Sequence, residues 1–304
     1  MRAARLHEFR SPLRIDEVSD PAPGPGEVLV HVSHAGVNPI DVRLRDGGAG
    51  RVDLPFVPGC DGVGRTDAGP VVVYGAGLGL RRAGTYAERV VVPDTGVVRL
   101  PDGVDPVQAA GIGLAGVTAW SLVGPHVSTS DRVLVLGASG GVGTLAVQLA
   151  RSAGATVWAC ATNPADAEQL GADRVIACDA GGLRDAVREL EPTVVLDGLG
   201  GPYTGAAVRA VANGGRITVF GVAAGARGEV DYAALYRKSV TLRGHASLAL
   251  PAADVRDALV GCLELLAGSQ VRVVIGDVLP LADVNDAHER LVARRATGKL
   301  VLAV

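Results

Sequence analysis

Aromatic side chains are scarce: Phe, Trp and Tyr together make up 3% of the 304 residues. Any core must therefore rest on Val, Leu and Ala, and a hydrophobic content of 48% provides enough of them for a large one. Cysteine occurs four times, as Cys60, Cys160, Cys178 and Cys262, and no two stand in a CxxC pair. That spacing argues against a zinc knuckle and against a disulfide framework. No basic run stands out and the net charge is −3, which argues against nucleic acid or an acidic membrane surface as the main partner. Every long apolar run is broken by glycine or charge, and the opening "MRAARLHEFRSPL" has no signal-peptide core. The expectation is a soluble cytoplasmic protein with reduced thiols.

Glycine, by contrast, is abundant at 42 residues, which implies many tight turns and close backbone approaches. Residues 1–105 read as short strands separated by turns. "EVLVHVSHAGV" and "TYAERVVVPDTGVVRL" alternate or run apolar, and "DPAPGPGE" is a strong breaker, so this part predicts an antiparallel β domain. From about residue 107 apolar strands alternate with helical segments. Strands are expected at 133–136, 156–160, 174–177, 193–197, 216–220 and 240–243, with helices between them, for example over 144–153 and 203–212. Six strands with five crossovers predict a doubly wound parallel sheet. After Gly261 another helix, the run "VRVVIGDVLPL", a helix near 283–295 and a last strand "KLVLAV" make a tail too small to stand alone. It is expected to return and complete the first domain.

The strongest local signal is "VLVLGASGGVGTLAVQLA". A buried strand runs into Gly137, Ser139, Gly140, Gly141, Val142 and Gly143, then into an amphipathic helix. Glycines here permit the turn and let backbone amides approach a pyrophosphate, and the helix N-terminus adds oriented N–H groups. The competing reading is a βα turn that needs glycine only for its shape; the strand–loop–helix context and the five further strands favour dinucleotide binding. The second strand ends in Ala161, Thr162 and Asn163, with no acid to hold an adenosine ribose 2′-OH. That points to NADPH, with NADH as the alternative. Thr162 and Asn163 would bond the 2′-phosphate or only cap the next helix.

In order and spacing, "PAPGPGEVLVHVSHAGVNPIDVRLRDG", "LPFVPGCDGVG", "GTYAERVVVP", "LAGVTAW", "VVLDGLGG", "GGRITVFG" and the closing "DAHERLVARRATGKLVLAV" resemble the medium-chain dehydrogenase/reductase superfamily. The nearest branch is that of the zinc-independent quinone oxidoreductases and enoyl reductases. The resemblance implies a GroES-like antiparallel β domain (1–106 and 262–304) with an inserted Rossmann domain (107–261). It also implies a cleft between them for the nicotinamide, a small-molecule quinone or enone as substrate, and a homodimer. Where zinc-dependent relatives hold a metal ligand this chain has Asn38, and their "GHE" element reads Gly59-Cys60-Asp61, so no zinc is expected.

Asn38 is then a candidate hydrogen-bond donor to a developing oxyanion, or a turn residue before Pro39. Asp41 is a candidate catalytic residue, better read as fixing the loop through backbone N–H groups. Arg43 would bind a substrate oxygen or sit on the surface. Thr118, Gly221 and Arg295 match cofactor-contacting positions of relatives; Cys60 reads as a buried thiol rather than a cleft group. His245 follows the last strand of the parallel sheet. Segment 65–83 is shorter than in relatives, and Cys178 stands where some carry a Tyr, so the pocket and the phosphate site are expected to be unusual. The function implied is that of an NADPH-dependent reductase of quinones or activated C=C bonds. The alternatives are a tailoring reductase acting on a polyketide-like substrate and a non-catalytic NADPH- or RNA-binding relative.

Overall fold

The computed structural model describes residues 1–161 and 171–304. Its chain divides into two compact units, one formed by Met1–Val117 with Leu248–Val304 and the other by Thr118–Ser247. Helix Gly113–Val123 carries the chain from the first unit into the second.

The first unit is built on a seven-stranded sheet. Along its main path lie Ile275–Pro280, Lys299–Ala303, Glu27–Val37, Asp61–Thr66, Gly69–Tyr74 and Val97–Arg99, and Arg89–Pro93 also pairs with Glu27–Val37. All pairings are antiparallel except that of Ile275–Pro280 with Lys299–Ala303. The tail therefore does return to the first unit, as the last strand of the chain pairs Leu300 with Val37 and Val301 with Gly36. Strand Glu27–Val37 starts with period-2 alternation, Val30 and Val32 inward and His31 outward. Its register then slips between Val32 and His34, a bulge that re-aims the rest of the strand. Beyond it Ala35, Gly36 and Val37 are all buried, and the chain enters helix Pro39–Arg45 deep in the unit. Leu78 joins Val30, Val32, Val71, Val73, Val90 and Val92 in one core cluster; a second gathers Leu13, Tyr86, Leu279, Val284 and Leu300.

The second unit carries six parallel strands, in spatial order Arg174–Ile176, Thr156–Cys160, Arg132–Leu136, Val194–Asp197, Arg216–Val219 and Thr241–Gly244. Numbered along the chain this is 3-2-1-4-5-6, the doubly wound order, whose direction reverses between Arg132–Leu136 and Val194–Asp197. Both central strands are buried on both faces, so they read in sequence as unbroken apolar runs. The α/β class, with a mainly antiparallel sheet in one unit and a parallel sheet in the other, is as expected. Each parallel strand lies within a residue of its expected position at either end.

Helix starts depart further from expectation. Gly141–Ser152 begins at the glycines rather than at Thr144, because Gly140 itself is the N-cap, with φ −80° and ψ 165°. The helix expected after Gly261 instead runs from Ala252 to Ala267, with Gly261 buried inside it. Pro251, which ends a loop and cannot extend a helix backwards, marks its start better than the glycine marks its boundary. No helix among the described residues is long and apolar enough to cross a membrane.

Candidate functional site

Two sites can be built from the residues upward, one in each unit. In the second unit the chain leaves strand Arg132–Leu136 through Gly137, whose φ of +78° favours glycine. Helix Gly141–Ser152 starts four residues later. Its first intrahelical bond from this end is Thr144 N–H to Gly140 O, at 2.9 Å. The amides of Gly141, Val142 and Gly143 precede that bond and open the helix with no intrahelical acceptor. A Cβ on Gly143 would stand 2.3 Å from Gly137 O and 2.8 Å from Ala138 Cα, so this glycine lets the helix close on the loop. A Cβ on Gly140 would meet only Gly137 O, at 3.4 Å. The two glycines therefore differ: packing demands glycine at 143, and at 140 it does not. Ser139, Gly140, Gly141 and Val142 are half-buried, within reach of a ligand.

Other groups gather at the carboxyl ends of these strands. Asp197, fully buried, accepts from the amides of Leu199 and Gly200 at 2.9 Å each and from Thr204 Oγ1 at 2.6 Å, so it shapes the loop beside the reversal point. Gly221 fits against Gly198, whose carbonyl oxygen would be 2.6 Å from any Cβ at 221. Thr118 is buried, its hydroxyl 2.7 Å from Ser247 Oγ. His245 Nε2 lies 2.9 Å from Ser121 Oγ, and burial followed by the nearby Arg243 holds this imidazole below its ordinary pKa. Cys160 and Cys178 bring their sulfurs to 3.8 Å, and Tyr203 donates its hydroxyl to Cys178 O. Thr162 and Asn163 lie outside the described residues. Arg295, in the first unit, is exposed in the turn after helix Val284–Val292.

In the first unit, Asn38 and Asp41 come together in a buried polar network. Asn38 Nδ2 donates to Asp61 Oδ1 at 2.7 Å and lies 3.4 Å from both Gly36 O and Cys60 Sγ. Asn38 Oδ1 accepts from Lys299 Nζ at 2.6 Å, and the same ammonium donates to Val37 O and lies 4.0 Å from Asp61 Oδ2. Asp61 Oδ2 also accepts from Leu114 N–H at the start of helix Gly113–Val123, where a carboxylate suits the helix dipole. Gly36 and Gly113 make room for the Asp61 side chain, since a Cβ on Gly36 would fall 2.5 Å from Asp61 Oδ1 and one on Gly113 2.4 Å from Asp61 Cβ. Asp41 Oδ2 accepts from Asn38 N–H at 2.8 Å and from Tyr86 OH at 3.0 Å. Asn38 is 1% exposed and both of its side-chain polar atoms are engaged within the protein. Arg43 is on the exposed face of helix Pro39–Arg45.

Asp61, Lys299 and Tyr86 are members of this network that sequence reasoning does not single out. Lys299 has a usable signal: lysine occurs only twice in the chain, and this one opens the otherwise apolar strand "KLVLA". The residues that replace the zinc ligands of metal-dependent relatives do not fit a zinc ion. An amide, a thiol and a carboxylate surround an ammonium, and burial, then Asp41 and Asp61, pushes the Cys60 thiol well above its ordinary range. Among the described residues no three His, Cys, Asp or Glu side chains converge as metal ligands.

Two buried titratable groups face each other's neighbourhood across Tyr86. Burial, then the Asp61 carboxylate, raises Asp41 to about 7, and its Oδ1 has no hydrogen-bond partner among the described residues. His288 is fully buried with both ring nitrogens unbonded, its ring 5.9 Å from that of Tyr86, and burial followed by Arg45 lowers it to about 4. Their linkage signs oppose. Asp41 holds its proton more tightly folded than unfolded, so its contribution to stability falls as pH rises from about 4 to about 7. His288 resists protonation when folded, so its contribution rises from about pH 4 to about pH 6.5. We expect Asp41→Asn to unmask the rise and His288→Phe to unmask the fall, each on the order of 2–4 kcal/mol across the window. His288→Phe also removes two unsatisfied polar atoms and is expected to raise stability at neutral pH. Urea midpoints of the three proteins across this pH range check the signs; parallel curves would contradict the assignment.

A glycine-rich βα turn at the reversal point of a doubly wound sheet, in a chain that also carries a GroES-like β unit, defines a nicotinamide-nucleotide-dependent oxidoreductase. Residues 24–102 match the alcohol dehydrogenase GroES-like domain family and residues 141–263 the zinc-binding dehydrogenase family. The chain is 31% identical to a quinone oxidoreductase of Sus scrofa, over 99% of this chain and 97% of that protein, and 30% identical to one of Pseudomonas aeruginosa, over 92% of each. Among solved structures, the quinone oxidoreductase of Thermus thermophilus, described also in complex with NADPH, matches with a TM-score of 0.89 at 29% identity over the whole of both chains. An NAD-dependent alcohol dehydrogenase matches with the same TM-score at 30% identity, again over all of both chains. The chain belongs to the medium-chain dehydrogenase/reductase superfamily, in its quinone oxidoreductase branch.

Proposed function

We propose that this protein is a metal-free, NADPH-dependent reductase of quinones or of the activated C=C bond of α,β-unsaturated carbonyls. The observation that carries the reading is the turn 137–143, which Gly143 packs against Gly137 and Ala138 and which sets the amides of Gly141, Val142 and Gly143 at the opening of a helix. These amides would hold the pyrophosphate, with Thr118 and Gly221 as further cofactor contacts. When bound, the nicotinamide supplies a hydride equivalent. The lack of an acid at residues 161–163, directly after the strand, supports NADPH over NADH, with Thr162 and Asn163 as the candidate 2′-phosphate contacts.

The metal positions support an acceptor that needs no Lewis acid. A buried lysine satisfies Asn38 and faces Asp61 where relatives would gather zinc ligands, so substrates must delocalise negative charge on their own, as quinones and enones do. Asn38 and Asp41 act in this reading as positioning residues, holding the segment from which Arg43 projects. Arg43, exposed, is then the candidate to meet an acceptor oxygen. The test is consumption of NADPH and NADH with a panel of quinones, enones and saturated ketones, before and after exhaustive treatment with a chelator. We expect turnover of quinones or enones, preference for NADPH, inertness toward the ketones and no response to the chelator. Tight NADPH binding without turnover of any acceptor would instead support the non-catalytic reading, which salt-sensitive RNA retention would then define.

A further inference from the structure

A cavity of about 360 Å³ in the first unit is lined by Arg51, Val52, Asp53, Phe56 and Arg81. Arg81 arrives on segment 65–83, which the resemblance predicts to be unusual. That segment is held firmly. Leu78 is buried in the valine core, and the amides of Leu80 and Arg81 bond back to Gly77 O at 3.1 and 2.8 Å. Gly79 and Gly84 close on Gly59, where a Cβ at either would stand 2.4 or 2.2 Å from the Gly59 carbonyl oxygen. Gly59 directly precedes Cys60, so the loop that displays Arg81 rests on the same wall as the Asn38 network. On the opposite side Phe56 is fixed by two backbone bonds to Leu6, at 2.7 and 2.9 Å.

The charges in the cavity are not equivalent. Arg82, next in the chain, is spent in an ion pair with Glu27 at 2.9 Å. Arg51 and Arg81 make no side-chain hydrogen bond or ion pair among the described residues, and neither does Asp53. Two guanidinium groups against one carboxylate leave one net positive charge facing an apolar surface of Phe56 and Val52. A guanidinium fork matches a carboxylate in shape and charge, and one net charge matches a monoanion better than a phosphate dianion.

We propose that this cavity is a carboxylate-binding site, in which Arg51 and Arg81 hold the carboxylate of an aromatic or unsaturated acid and Phe56 with Val52 takes its apolar body. To test it, benzoate and neutral benzamide are titrated calorimetrically into the protein without any turnover. Benzoate is expected to bind at least about tenfold more tightly than benzamide, and Arg51→Gln with Arg81→Gln in one chain abolishes the difference. Equal affinities for the two probes, or benzoate binding that the double variant leaves unchanged, would overturn the site.

Both arginines are exposed, so the substitutions remove charge without opening the core.

Discussion

Replacing Lys299 by methionine is expected to destabilise the protein by about 3–5 kcal/mol, the cost of leaving a buried charge without its partner. Lys299 is 3% exposed and Asp61 fully buried, so water cannot take over the role of the ammonium. Methionine preserves most of the stem's volume and thus isolates charge from packing. Three groups lose a contact together: Val37 O, Asn38 Oδ1 and the Asp61 carboxylate, which keeps its bonds from Asn38 Nδ2 and Leu114 N–H. Urea unfolding of the wild type, Lys299→Met, Asp61→Asn and the double variant gives the coupling. We expect the double variant to cost less than the sum of the singles by about 1–3 kcal/mol, because removing both charges leaves neither stranded. A loss under about 1 kcal/mol in Lys299→Met would mean that the ammonium is not what neutralises Asp61.

This network is also the least legible part of the molecule. Asn38 and Lys299 are 261 residues apart, and only the pairing of the last strand with Glu27–Val37 brings them together. No local pattern announces such a contact. Asn38 is legible as a replaced metal ligand, but whether its amide faces solvent or a buried lysine depends on that long-range pairing. The bulge after Val32, which sends the segment inward, is equally silent, since one residue of slippage leaves no mark on composition.

The parallel sheet is legible for the opposite reason. Strands such as Arg132–Leu136 and Val194–Asp197 are covered on both faces, so burial writes itself as a continuous apolar run between glycine-rich turns. Helix boundaries fall between the two cases. Gly140 works as an N-cap and Gly261 as a helix interior residue, and a glycine's identity alone does not say which. Roles that depend on close backbone approach, such as that of Gly143, become visible only when the neighbouring atoms are known.

The same distinction sets the second large effect. Gly143→Ala is expected to lower stability by about 1–3 kcal/mol, because the new methyl group must displace backbone rather than a flexible side chain. Its neighbours would be Gly137 O at 2.3 Å and Ala138 Cα at 2.8 Å, and moving them deforms the turn that aims the amides of residues 141–143. NADPH affinity should fall with it, by about tenfold or more. Gly140→Ala separates the two consequences. Its backbone angles suit alanine and its Cβ would find one contact at 3.4 Å, so the melting temperature should stay near that of the wild type. Any fall in NADPH affinity in this variant reports a ligand against residue 140 rather than a deformed turn. Thermal unfolding with and without NADPH, combined with a fluorescence titration, reads both effects. If Gly143→Ala binds NADPH as tightly as the wild type does despite its loss of stability, the phosphates do not lie against the amides of residues 141–143, and the cofactor site must be sought along another edge of the sheet.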